Sequence, residues 1–275
     1  MAGSSDRHRS GEVEGSAGPD PGSPLAVPFR IGEVDIPNRV VLAPMAGLTS
    51  GAYRRHLKAH GVGLVTTEMV SAYGLVYGNV RTAEYLRFVP EERPLAVQLF
   101  GDTVDIMVRA AEVVLSRSMV PDILDINMGC PVRKVMKTGA GAALLDDAEK
   151  AVAIAGAVAG VAAQAGAPVM VKIRSGVRPG ERVAVELAPR LEQAGVQGLG
   201  VHPRAAAEHY RGKADHTVTA AVVKSVTIPV VASGDITDVD SALSIREATG
   251  AAALMVARGA AGDPWLVGAL LSGRR

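Results

Sequence analysis

The sequence predicts an α/β fold, a (β/α)8 TIM barrel over residues 25–275, preceded by a disordered leader over residues 1–24. Three observations lead there. Eight short β-branched apolar runs recur after Phe29, and stretches with apolar residues at spacings of three and four lie between them. Polar residues collect at the ends of the runs. Strands covered by helices on both faces read as continuous apolar runs, because neither face meets water. A doubly wound open sheet shares this alternation of elements, but eight parallel strands in about 250 residues favour closure into a barrel.

In chain order, the leader comes first. Residues 1–24 are rich in Gly, Ser, Pro, Asp and Glu and hold no apolar run, so they bury too little surface to offset the entropy of ordering. A secretory signal needs an apolar stretch, and none stands there. Phe29–Ile31 and Val34–Ile36 read as a short hairpin plugging the bottom of the barrel. Strands follow at residues 40–43, 64–67, 95–99, 123–126, 169–173, 198–201, 229–232 and 252–256. Helices are expected at 52–60, 104–115, 148–163, 182–193, 217–224 and 239–248. Val104, Met107, Val108, Ala111, Val114 and Leu115, for example, form one stripe at helical period. Residues 151–171 carry no charge over about the length a bilayer requires. They are mostly Ala and Gly, and Pro168 interrupts them, so a buried helix running into a buried strand is expected, with no membrane span.

Composition narrows the function. With 48% hydrophobic and 21% charged residues and a net charge of +1, the chain reads as a globular protein, not a histone-like polyanion binder. With neither a signal sequence nor a membrane span expected, it is placed in the cytoplasm, and a monomer is expected. The leader carries Arg7 and Arg9 against Asp6, Glu12, Glu14 and Asp20, a balance of −2 that leaves +3 on the remainder. Cys130 is the single cysteine, which excludes an internal disulfide and a cysteine-based zinc site. No metal is expected.

In such a barrel the chemistry sits where strands end and loops begin. Met45, Glu68, Gln98, Asn127, Cys130, Lys172, Arg174, His202, Arg204, Asp235 and Arg258 all fall there. Ala232-Ser233-Gly234-Asp235 and Ala257-Arg258-Gly259 follow the last two strands, the usual place in barrels for backbone amides that cradle a phosphate. Arg258 adds a charge-assisted bond. Lys172, aimed inward among apolar neighbours, needs an anion or an electron-rich ring. Gln98 offers an amide suited to the edge of a pyrimidine-like ring, and His202 adds a third polar contact. These are furnishings for a phosphorylated heteroaromatic cofactor such as FMN. Cys130 stands between Gly129 and Pro131, so it rides a loop over the mouth. With a reference pKa near 8.5 its thiol is suited to giving a proton at neutral pH. Basic residues gather in presumed mouth loops, among them Arg87, Arg93, Arg133, Lys134, Lys137, Arg178, Arg182, Arg211 and Lys213, enough for a local anion-binding field.

Several motifs together resemble the bacterial tRNA-dihydrouridine synthases. They are Leu42-Ala43-Pro44-Met45-Ala46-Gly47, Thr67-Glu68-Met69, Val97-Gln98-Leu99-Phe100-Gly101, Asp125-Ile126-Asn127-Met128-Gly129-Cys130-Pro131, Val171-Lys172-Ile173-Arg174 and Pro264-Trp265. The resemblance implies an FMN-binding barrel that takes electrons from NADPH and reduces the C5–C6 double bond of selected uridines in tRNA, with Cys130 protonating C5. It implies Pro44 and Met45 against the flavin, Gln98 and Lys172 at its ring edge with His202 alongside, and Gly234, Asp235, Arg258 and Gly259 at its phosphate. Asn127, Lys137, Arg174 and Arg204 would meet the substrate. Ser50, Pro203, Ala205, Ser233 and Ala257 depart from the usual pattern. Family members continue into a helical domain that grips tRNA; here the sequence stops at Arg275, so that domain is expected to be absent. Two other readings stay open: a different FMN barrel acting on a small pyrimidine-like substrate, and a truncated, non-catalytic RNA-binding relative.

Overall fold

A hairpin closes the bottom of the molecule. β1 (Phe29–Ile31) pairs antiparallel with β2 (Val34–Ile36), as the sequence predicts. The computed structural model describes residues 22–274. Ile31 and Ile36 are fully buried in one cluster with Val41, Leu64, Ala96, Ile123, Met170, Val231 and Ala253, which are inward-facing residues of the strands above. The hairpin therefore removes from water an apolar floor that the strands alone would leave open.

Eight parallel strands close around that floor. They are β3 (Val40–Leu42), β4 (Leu64–Thr66), β6 (Leu95–Phe100), β7 (Ile123–Met128), β8 (Val169–Arg174), β9 (Gly198–His202), β10 (Val230–Ser233) and β11 (Ala253–Val256). Pairing of β11 with β3 and of β4 with β6 completes the ring, so the fold is the TIM barrel and not the open sheet. A two-residue strand, β5 (Val70–Ser71), lies beside the end of β6. β6, β7, β8 and β9 run one or two residues past their predicted ends and carry Asn127, Arg174 and His202 as strand residues. After β7, β8 and β9 the next residues, Asn127, Arg174 and His202, are polar and read as the start of a loop, whereas the ladder continues while backbone partners remain; β6 gains only the apolar Phe100.

The six predicted helices form as α1 (Gly51–Ala59), α4 (Val104–Leu115), α6 (Ala148–Gln164), α7 (Val183–Gln193), α8 (His216–Ser225) and α9 (Val239–Thr249). Five others among the described residues lie outside the prediction: α2 (Ala72–Val76), α3 (Val80–Glu84), α5 (Arg133–Met136), α10 (Arg258–Gly262) and α11 (Leu266–Ser272). None exceeds seven residues, too short for an apolar period to register. The charge-free stretch resolves into α6 and β8; Ile154, Ala155, Val158 and Ala162 bury one face of α6, and Asp147 caps it by accepting from the Lys150 amide. Among the described residues no helix is long and apolar enough to cross a membrane.

Residues 1–21 of the expected leader lie outside the described residues. Its boundary needs a correction: Ser23 is buried, its hydroxyl donates to the Leu270 carbonyl, and Leu25 is fully buried, so the chain is packed on the barrel from at least Ser23. A second correction concerns Arg93. It stands ahead of β6 and pairs with Asp122 ahead of β7, which puts it at the end of the barrel opposite the mouth.

Candidate active site

At the C-terminal ends of the strands opens a cavity of about 730 Å³. Pro44 and Met45 enter it from the loop after β3, where the Met45 carbonyl accepts from the amides of Leu48 and Thr49 and from the Thr49 hydroxyl. That bonding pins the loop as a tight turn, and the Gly47 amide is tied in turn to the buried Glu68 carboxylate at 2.5 Å. With Ala43 and Met255 these residues make one apolar side of the cavity.

Opposite them stands a polar wall built on β6, β7 and β8. The pairing register puts Gln98 beside Asp125 and Asn127 beside Lys172. Gln98, fully buried, donates through Nε2 to Asp125 Oδ2 at 2.6 Å and accepts at Oε1 from Asn127 Nδ2 at 2.8 Å. Asn127 Oδ1 accepts from the amides of Gly129 at 3.2 Å and Cys130 at 2.9 Å, so it caps the loop that carries the cysteine. The loop is braced again from below. Gly141 has φ +63°, and a Cβ there would lie 2.8 Å from the Cys130 carbonyl oxygen. The Ala142 amide donates to that same oxygen. Glycine is required because the turn is left-handed and the two segments touch backbone to backbone.

Cys130 is half-buried at the cavity wall. Burial pushes its thiol above the ordinary pKa, although Arg174 and Lys172 pull the other way. At neutral pH the group is therefore a thiol, a proton donor and not a nucleophilic thiolate. Lys172 is drawn down to about 8, first by loss of water around the ammonium and then by Arg174, while Asp125 opposes the shift. That ammonium makes no hydrogen bond among the described residues although it lines the cavity. Burial also keeps His202 neutral, with its pKa driven far down and Lys172, Arg174 and Arg204 adding to the effect. Arg204 only donates, so its contact at 3.4 Å makes His202 Nε2 the acceptor and leaves the ring proton on Nδ1.

The last two strands supply the third side. Gly234 (φ +109°) and Asp235 (φ +56°) turn the chain sharply after β10, and Ala257, Arg258 and Gly259 open the short helix α10 after β11. A Cβ on Gly259 would lie 2.5 Å from the Ile236 carbonyl oxygen, so this glycine lets the two loops pack together. The Arg258 guanidinium lies 4.3 Å from the Tyr210 ring centroid, and that ring stacks on His202 with centroids 6.3 Å apart.

The structure thus brings Pro44, Met45, Gln98, Asn127, Cys130, Lys172, Arg174, His202, Gly234, Asp235, Arg258 and Gly259 to one cavity, and leaves two expected residues outside it. Arg204 is 2% exposed; its guanidinium donates to the carbonyls of Arg211 and Gly212 and to both oxygens of Asp235. With its donors committed it braces the loop and does not face a substrate. Lys137 caps α5 on the exposed surface, beyond the cavity wall. Two expectations inside the cavity are corrected in kind. Arg174 is 3% exposed and donates to the carbonyls of Gly129, Ala205 and His209, so it ties the cysteine loop to the loop after β9. The Asp235 carboxylate is taken by Arg204 and the Ala214 amide, which leaves its backbone for any phosphate. Two residues escape sequence reasoning. Tyr210 sits in a polar loop with no pattern around it. Asp125 is polar in the middle of an apolar strand, and that is the signal by which it can be found.

The fold and the sequence both have known counterparts. A family model described as dihydrouridine synthase (Dus) matches residues 41–273. A "tRNA-dihydrouridine synthase B" of Pseudomonas aeruginosa is 38% identical over 237 residues, covering 86% of this chain and 70% of its own. A "probable tRNA-dihydrouridine synthase 1" of Synechocystis is 39% identical over 245 residues, covering 88% and 67%. Among solved structures, an old yellow enzyme homologue from Zymomonas mobilis matches with a TM-score of 0.63 at 16% identity, over 87% of this chain and 90% of that one. Histamine dehydrogenase from Rhizobium sp. 4-9 matches at 0.67 and 13%, over 91% and 48%. At such identities the structural likeness concerns the barrel alone.

Proposed function

The chain belongs to the dihydrouridine synthase family, and from that membership we propose that it is a flavin-dependent tRNA-dihydrouridine synthase that uses FMN and NADPH. The observation that carries the reading is the meeting, in one cavity, of a protonated thiol, a lysine without a hydrogen-bond partner among the described residues and a turn of backbone amides at the last two strands.

The residues present fit FMN. The amides around Gly234, Asp235 and Gly259, with Arg258, suit a phosphate; Pro44 and Met45 suit the face of a flat ring; Lys172, Gln98 and His202 suit its polar edge. A cavity of about 730 Å³ is within the usual range for such a ligand. When bound there, a flavin with NADPH as electron donor would supply the chemistry of hydride donation to C6 of uracil.

The chain's own groups do the rest. Asn127 and the Cys130 loop hold the base, which must leave its stack to enter. Cys130 gives its proton to C5 as the second carbon–hydrogen bond forms, and the resulting thiolate recovers a proton from water. Lys172 and Arg174 favour that transient thiolate electrostatically. Outside the cavity, Arg133, Lys134 and Lys137 are exposed next to the cysteine loop, form no ion pair among the described residues, and would meet tRNA phosphates. The test is direct. The purified flavin-loaded chain, incubated with NADPH and unmodified tRNA, yields dihydrouridine detectable by nucleoside mass spectrometry. Absence of that product from the flavin-loaded protein would overturn the reading.

A further inference from the structure

Asp125 is a buried carboxylate that the proposed reaction does not use. It is 3% exposed, Oδ2 accepts from Gln98, and Oδ1 has no hydrogen-bond partner among the described residues. Burial raises its pKa to about 6, with Gln98 and Lys172 opposing, and its Oδ2 stands as the acceptor of the Gln98 amide at 2.6 Å. A side-chain amide can sit in either of two orientations, with oxygen and nitrogen exchanged; a carboxylate can only accept. Along the row Asp125–Gln98–Asn127–Cys130 amide, the carboxylate is therefore the one side chain whose role is fixed by its chemistry.

We propose that Asp125 is a positioning residue that sets the polarity of this row and so holds the backbone amide of Cys130. The direction follows link by link. Because Asp125 accepts, Gln98 must turn its Nε2 toward it and present Oε1 to Asn127. Asn127 must then donate through Nδ2, which turns its Oδ1 to the amides of Gly129 and Cys130. If Asn127 were reversed, its NH2 would face two backbone N–H groups, leaving two half-buried donors unpaired. Asp125 also acts on Lys172 from the neighbouring strand, and its charge keeps that ammonium protonated to a higher pH.

Asp125→Asn separates polarity from shape. If the introduced amide keeps its oxygen toward Gln98, its NH2 occupies the place where Oδ1 has no partner, an unpaired buried donor. If it turns round, Gln98 and Asn127 reverse with it and the Cys130 amide is released; because each arrangement leaves a donor unpaired, neither holds the row, the two interconvert, and the Cys130 amide opens more often than in the wild type. Adding Gln98→Glu moves the charge one place along the row. The amide at position 125 then donates to the carboxylate at position 98, whose other oxygen still accepts from Asn127. The volume and the total charge are unchanged, and the original direction is restored at Cys130.

The readout is hydrogen exchange of the Gly129 and Cys130 amides in the full chain, with the amides of α6 as the control for an intact fold. The expected result is that Asp125→Asn speeds exchange at residues 129 and 130 about tenfold, the scale set by losing one net hydrogen bond to a half-buried amide. The double variant Asp125→Asn with Gln98→Glu should return it most of the way. Unchanged exchange in Asp125→Asn overturns the proposal. So does a double variant no better protected than the single one, since independent structural damage would add and not cancel. Although the role serves the proposed reaction, the exchange measurement involves neither tRNA nor turnover. Its failure and the failure of the reductase reading are therefore distinguishable.

Discussion

At the residue scale, the decisive fact is that Cys130 is kept as a thiol. Burial outweighs two nearby cations, so the group enters catalysis holding the proton it must give away. Cys130→Ala should lower dihydrouridine formation by about 10²–10⁴, the usual contribution of a positioned acid, while flavin binding, read by absorbance, persists. Lys172 gives a stability prediction with a defined sign. Its folded pKa of about 8 lies below the ordinary value of 10.5, so between those limits the unfolded chain binds more protons. Taking the charged ammonium out of water costs stability below pH 8, and that cost is relieved as pH rises toward 10.5. Chemical unfolding across that window should show the wild type gaining on Lys172→Met by on the order of a few kcal/mol. A difference that is flat with pH would contradict the desolvation of this charge. The sequence points to both residues, Cys130 by its setting between glycine and proline and Lys172 by its inward place in an apolar run. It does not show that Arg174 and Arg204 spend their guanidinium groups on carbonyls and a carboxylate, because Gly129, Ala205, His209 and Asp235 lie on other loops that only the closed barrel brings to them, and the Arg204 contacts within its own loop depend on how that loop folds back.

At the element scale, every predicted barrel strand is present, and the errors are instructive. The sequence places the ends of β7 to β9 too early because Asn127, Arg174 and His202, polar residues at the mouth, look like the start of a loop. The short helices α5 and α10 leave no trace in it because they are held by loop contacts and not by an apolar face. One glycine between elements carries a prediction. Gly141→Ala would strain a φ of +63° and press a methyl group on the Cys130 carbonyl, costing about 1–3 kcal/mol. It should reduce turnover more than flavin affinity, measured by steady-state kinetics against flavin titration. The opposite loop answers differently. Arg204→Met removes the partner of Asp235 and should weaken flavin binding, with a loss of about 2 kcal/mol in stability by thermal unfolding.

At the scale of the whole molecule, a net charge of +1 conceals an uneven surface. Many of the basic residues expected around the mouth are committed: Arg178 pairs with Asp146 and Glu181, Arg182 lies near Asp215, and Arg93 stands at the far end of the barrel. Arg133, Lys134 and Lys137 stay exposed beside the cysteine loop. Each of these changed to alanine should weaken tRNA binding about equally for all tRNAs and lower the slope of log affinity against log salt by roughly one. The account as a whole stands on the joining of a flavin site to a thiol acid in one cavity. Its most direct test is a single turnover: flavin-loaded wild type and Cys130→Ala are each reduced with NADPH and then mixed with unmodified tRNA under anaerobic conditions. The account predicts that both proteins accept electrons, that wild type reoxidises as dihydrouridine appears, and that the variant stays reduced. Equal rates of product formation in the two proteins would contradict it.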